Sequence, residues 1–158
     1  PEISRAVLNK ESLVGITLDD GGLEHLIKET IEVGEFILVG FNKEQINQGI
    51  ICTEDRKEVR QLKREYAKKF EAPMPINIQV NSWSMAMKFA EDGLGLAFVP
   101  DFLLKAQQRK TRMKLRKISL GLPRISYKIV LLKHPLYKNH PGVKFLEALI
   151  LKKSNSKS

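Results

Sequence analysis

The hydrophobic positions fall into short runs whose period switches between two and about 3.6 along the chain. Residues 12–17, with Leu-Val-Gly-Ile at their centre, read as a short buried strand, and Asp19-Asp20-Gly21-Gly22 is turn chemistry. Residues 23–33 fit two patterns. Leu23, Leu26, Ile27 and Thr30 would share a helix face, whereas Ile27, Glu29, Ile31 and Val33 alternate as a strand would. Residues 36–41 form a strand, and residues 42–49 are polar and loop-like.

From residue 50 the pattern becomes regular. Residues 50–52 predict a buried strand. Thr53 can cap a helix, although Arg56 at the third following position leaves the capping box incomplete. Val59, Leu62, Tyr66 and Phe70 then recur at helical spacing until Pro73 and Pro75 stop the helix. Ile76, Ile78 and Val80 alternate with polar residues as a strand. Asn81-Ser82 caps a helix carrying Trp83, Ala86, Met87 and Ala90, which Gly93 ends. Residues 94–99 form an apolar strand closed by Pro100, and residues 101–108 a short helix. Strands follow over 115–120 and 127–132. A last helix over 141–151 would turn Val143, Leu146, Leu149 and Ile150 inward. Strand–helix alternation from residue 50 implies an α/β fold with a largely parallel sheet, whose ligands sit beyond the carboxyl ends of the strands.

Composition narrows the class. The chain has 158 residues, 42% of them hydrophobic, enough for one domain or two small lobes. No apolar run approaches the roughly 20 residues of a spanning helix, and residues 1–5 do not read as a secretory signal. The one cysteine, Cys52, excludes an intrachain disulfide and suits a reducing cytoplasm, where a buried structural thiol is favoured over a redox sensor. The net charge of +9 is uneven. Lys105, Arg109, Lys110, Arg112, Lys114, Arg116 and Lys117 form a run without acids, and Lys152, Lys153 and Lys157 lie in a tail expected to fray over 152–158. Few aromatics interleave with these cations, so the run reads as solvated surface ahead of a nucleic-acid platform.

Candidate chemistry is sparse. His25, His134 and His140 are too widely spaced for a local metal motif, and Asp19-Asp20 reads as a turn before a cation site. The sequence holds no Gly-x-Ser-x-Gly elbow, no phosphate loop ending in Lys-Ser/Thr, and no His-Glu-x-x-His. No catalytic residue, metal or cofactor is therefore expected, and the chain reads as a non-enzyme.

The stretch from Val80-Asn81-Ser82-Trp83 through Gly93-Leu94-Gly95 to Leu96-Ala97-Phe98-Val99-Pro100 carries a resemblance. It resembles the second lobe of LysR-type effector domains, where a strand ends in a small polar residue, a helix follows, and a Gly-x-Gly turn leads into an apolar strand ending in Pro. The return strand 127–132, His140-Pro141 and Phe145-Leu146 resemble the family's closing element, and residues 32–41 its crossover into the second lobe. The resemblance runs from about Leu8 to Leu151. One departure lies in the first lobe, where Leu13 stands at a position the family usually gives to Asp.

The resemblance implies a two-lobed, type 2 periplasmic-binding-protein-like fold with mostly parallel sheets flanked by helices. Residues 1–41 and 127–151 would be a remnant of lobe I, and 42–126 lobe II. The first lobe would be incomplete, with its opening elements and a DNA-binding helix-turn-helix lying before Pro1. It implies an effector held between the lobes by Gly15, Ile16 and Thr17 from the first and Thr53, Asn81, Ser82, Val99 and Pro100 from the second. Helix starts after Thr53 and Ser82 would suit an anionic metabolite. A homo-oligomer, dimer or tetramer, in the cytoplasm is implied, touching DNA only through the helix-turn-helix. Two other readings share the architecture: a solute-binding protein of a transporter, and an enzyme such as a transferase. Direct nucleic-acid binding by residues 105–117 is a fourth.

Overall fold

The computed structural model describes residues 2–19, 21–22, 24–110 and 114–155. Asp20, Leu23 and residues 111–113 and 156–158, on which parts of the turn, helix-face, basic-run and tail expectations fall, lie outside them. The chain divides into two compact units, residues 34–126 and residues 1–33 with 127–158.

In the unit of residues 34–126, strands buried on both faces are short and apolar, as covered strands must be. These are β3 (Ile50–Cys52) and β5 (Leu96–Pro100), each buried throughout. β4 (Ile76–Gln79) alternates half-buried isoleucines with exposed Asn77 and Gln79, the pattern of a strand covered on one side. β3 runs parallel to both β4 and β5, so the three share one direction. The outer pairings are antiparallel: β2 (Ile27–Gly40) with β5, and β6 (Arg116–Ile118) with β2. Among the strand pairs just described, the parallel character read from the alternation is found in β4-β3-β5, and the sheet is mixed.

Three α-helices, a 3₁₀ helix and a tight turn complete the described part of this unit. α3 (Trp83–Glu91) buries Ala86, Met87 and Ala90 against Ile37, Val39, Ile51, Ala97 and Val99, joined by Leu104 of α4 (Asp101–Lys110). The Gly93-Leu94-Gly95 turn needs both glycines. Gly93 has φ +81°, and Gly95 has φ +149° with a hypothetical Cβ only 2.6 Å from the Gly49 carbonyl oxygen. Residues 43–48, expected as a loop, form a 3₁₀ helix capped by Asn42. Gln45 within it is buried: its Oε1 accepts from Phe41 N at 2.6 Å, and its Nε2 donates to the carbonyls of Ala90 and Gly95, each at 3.2 Å. α2 (Lys57–Phe70) buries Val59 and Leu62 and ends at Glu71, ahead of the prolines.

In the other unit β7 (Ile125–Lys133) lies between β1 (Val14–Leu18) and β2, pairing antiparallel with β1. The ambiguous segment is therefore strand from Ile27, continuous with the strand expected at 36–41. α1 (Glu2–Leu8), which the sequence reading does not anticipate, packs on β1 and joins a small core of Val7, Leu26, Val130 and Leu132. The last helix, α5 (Pro141–Asn155), extends past the expected end at 151, so residues 152–155 are helical. Of its four expected inward residues Val143 is fully buried, Leu146 and Ile150 are half-buried, and Leu149 is 44% exposed.

One buried cation anchors this unit. Lys133 at the end of β7 is 7% exposed, with Nζ 2.7 Å from Glu29 Oε1 on β2 and 2.8 Å from Glu147 Oε2 on α5. Burial alone would lower its pKa and is the largest single influence. Hydrogen bonds to Glu147 and Glu29, with their charges, together outweigh it and raise the pKa above 10.5.

Candidate functional site

Because β4, β3 and β5 are parallel neighbours, their carboxyl ends share one edge of the sheet. The register sets Cys52 beside Gln79 and Ile51 beside Ala97, so continuing it brings Thr53 level with Val80 and Val99. Asn81-Ser82 and Pro100 follow immediately. Thr53, Asn81, Ser82, Val99 and Pro100 are thus drawn together at one edge within a single unit.

Their chemistry differs. Ser82 caps α3, its Oγ accepting from Met85 N at 3.3 Å. The first N–H groups of a helix have no intrahelical acceptor, so those of Trp83 and Ser84 open toward this edge. Asn81 and Ser82 are exposed. Thr53 does not cap α2. It is 4% exposed at the tip of β3, and a bend through Glu54 and Asp55 separates it from a helix whose N-cap is Arg56, without a side-chain cap bond. Asp55 holds that bend by pairing with Lys63 at 2.9 Å and Arg60 at 3.5 Å. Its pKa is lowered chiefly by the hydrogen bond from Lys63. Val99 is fully buried, its side chain committed to the α3 core, and Pro100 is buried.

Residues beyond the expected set line the same edge. Phe36 pairs with Pro100 in the β2–β5 ladder, and its ring stands 6.0 Å from Trp83 and 5.3 Å from Phe98. The Arg56 guanidinium lies 5.5 Å over the Trp83 ring. An exposed cation beside an open helix N-terminus and an aromatic face can hold a small planar anion. The sequence signal is weak: Arg56 reads only as the residue that spoils a capping box, and Trp83 only as one of the apolar residues of its helix.

Cys52 closes β3 at 1% exposure. Burial pushes its thiol up to about 12, with Lys63 pulling slightly the other way, so almost no thiolate exists near neutrality.

The residues expected from the first lobe lie on β1, in the other unit. Gly15 is buried beneath α1, where a Cβ would meet Ile3 Cγ2 at 2.7 Å and Val7 Cγ2 at 2.9 Å. Ile16 is 46% exposed, and Thr17 is half-buried opposite Val130. Gly15 therefore serves close helix packing. Among the described residues no group of three or more His, Cys, Asp or Glu could hold a metal, and no helix is long and apolar enough to cross a membrane.

No protein-family model matches the sequence, and no curated protein matches it. Solved structures match its fold. The apo regulatory domain of HypT from Salmonella typhimurium superposes with a TM-score of 0.77 at 11% identity, over 98% of this chain and 78% of that one. The C-terminal domains of a LysR family protein from Agrobacterium tumefaciens give 0.67 at 10% identity, covering 97% and 77%. DarR from Vibrio fischeri, an LTTR family member in complex with DNA, gives 0.72 at 12% identity, covering 95% and 54%. The chain has the α/β fold of LysR-family regulatory domains, a periplasmic-binding-protein-like fold, with seven strands among the described residues flanked by helices.

Proposed function

We propose that this chain is the effector-sensing domain of a LysR-type transcription regulator and binds a small anionic metabolite. The observation that carries the reading is the meeting of Thr53, Asn81, Ser82 and Pro100 at the carboxyl edge of three neighbouring parallel strands, on a fold shared with regulatory domains. Open N–H groups of α3 and the Arg56 guanidinium supply donors for a carboxylate, and Trp83 and Phe36 supply an apolar wall. On this reading Ser82 and Asn81 contact the effector directly, and Thr53 and Pro100 shape the strand tips. Val99 contributes backbone alone. Gly15, Ile16 and Thr17 stay in the proposed set through the family resemblance, with Ile16 and Thr17 the two able to present side chains.

The effector acts by binding one conformational state better than another, the only way a ligand shifts such an equilibrium. DNA contact belongs to a helix-turn-helix outside this sequence, the regulator is a cytoplasmic homo-oligomer, and the chain performs no catalysis. A transport or enzymatic role on the same fold has no observation favouring it.

The test is a thermal-shift and calorimetry screen of small mono- and dicarboxylates against the chain and its Ser82→Phe variant. A true effector at a hundredfold excess over Kd stabilises by about 2.7 kcal/mol, several degrees of Tm. The variant should keep its far-UV circular dichroism and lose the shift. An acid bound with unchanged affinity by Ser82→Phe would refute the placement, and a screen without any saturable acid would refute the anionic class.

A further inference from the structure

A hollow of about 200 Å³ lies within the unit of residues 34–126 and meets the strand edge just described at Phe36. Leu62 of α2 forms one wall and residues 118–120 and 122–125 the other. Lys69 Nζ, donating to the Gly121 carbonyl at 2.6 Å, ties the two walls together. Phe36, Leu38 and Phe98 make the floor, with the Phe36 and Phe98 rings 5.3 Å apart. The rim is charged. Glu35, its side chain 22% exposed, pairs with Lys117 through Oε1 and with Arg124 Nε at 3.3 Å through Oε2.

We propose that this hollow is a second ligand site, for a small amphipathic carboxylate. The rim carries two cations against one carboxylate, a surplus of one positive charge. Lys117 has three N–H donors and Arg124 five, so pairing with Glu35 leaves donors on both for an incoming anion. The floor is apolar and suits a short hydrocarbon body. The volume falls below the roughly 300 Å³ at which drug-sized pockets begin, which limits the occupant to a short chain or a single ring. None of Thr53, Asn81, Ser82, Val99 and Pro100 lines the hollow; Phe36 borders both places, and the experiment separates them by which methyls move.

The experiment is methyl NMR on the full chain titrated with hexanoate, and with hexanol and hexylamine as neutral and cationic counterparts. Saturable shifts are expected at the methyls of Leu38, Leu62, Ile118 and Ile125. Affinity should be at least about tenfold weaker for hexanol and for hexanoate with the Lys117→Gln/Arg124→Gln variant, the scale of one lost charge-assisted bond. Shifts centred instead on Val80, Met85 and Ala86 would place hexanoate at the strand edge and overturn the second site. Equal affinity for the alcohol or the amine would overturn the anionic class, and absence of saturable shifts would overturn both.

Discussion

Replacing Lys133 by Met would remove the cation that Glu29 and Glu147 share and leave two carboxylates facing each other. Breaking a buried pair from one side costs about 3–5 kcal/mol, because the remaining charge is uncompensated. Glu29 and Glu147 retain 32% and 20% side-chain exposure, and water offsets part of that penalty, so roughly 2–3 kcal/mol is expected here. Adding Glu29→Gln and Glu147→Gln to Lys133→Met should return most of the loss. The pH profile gives a second readout. The hydrogen bond from Lys133, followed by one shared with Glu29, lowers the pKa of Glu147 below 4.5. Its contribution is present above pH 4.5 and lost as pH falls through the lowered value. The raised pKa of Lys133 contributes below pH 10.5 and is lost as pH rises through the folded value. The wild type should therefore show a plateau with both flanks, and Lys133→Met should lose the part of each flank that these three groups supply. Urea unfolding followed by circular dichroism, with hydrogen exchange on α5 peptides, measures each quantity. A loss under 0.5 kcal/mol, or a triple variant no better than the single one, would refute the reasoning.

Three further outcomes are expected. Gln45→Ala removes three hydrogen bonds and takes the Gln45 partner from the Phe41 N–H and the Gly95 carbonyl, while the Ala90 carbonyl keeps its bond from Gly93 N, which should cost about 2–4 kcal/mol in urea unfolding. Gly95→Ala forces a Cβ against the Gly49 carbonyl at a positive φ and should destabilise by at least about 2 kcal/mol, whereas Gly93→Ala, with open space around it, should cost only about 1 kcal/mol of backbone strain. Cys52 in the folded chain should resist iodoacetamide at pH 8 and react only at the rate of unfolding, read by mass spectrometry.

Much of residues 50–100 was legible because local signals there agree with one another: β-branched runs, Ser82 as a cap, and Gly93 and Gly95 as a turn. What escaped depends on distant partners. Residues 43–48 read as loop because two of the three hydrogen bonds that bury the Gln45 side chain reach Ala90 and Gly95, far along the chain. Residues 27–33 alternate weakly and become strand through pairing in the sheet. Thr53 looked like a cap because its sequence context permits one, yet burial at the strand tip and the bend at Asp55 move the helix start to Lys57. At the candidate site Ser82 was readable from the capping pattern, whereas Arg56 was not, since a cation over an indole is a tertiary contact without local spacing.

The strand that organises the larger unit also carries a liability before the chain is folded. Residues 94–99, Leu-Gly-Leu-Ala-Phe-Val, are uncharged and rich in apolar side chains, the composition of a self-adhesive segment. They are bracketed by Glu91 and Asp92 on one side and by Pro100 and Asp101 on the other. These flanking charges and the imino acid act as gatekeepers for the nascent chain. Solubility during synthesis thus depends on boundary residues, two of which, Glu91 and Asp92, make only surface ion pairs with Lys88 once folding is complete.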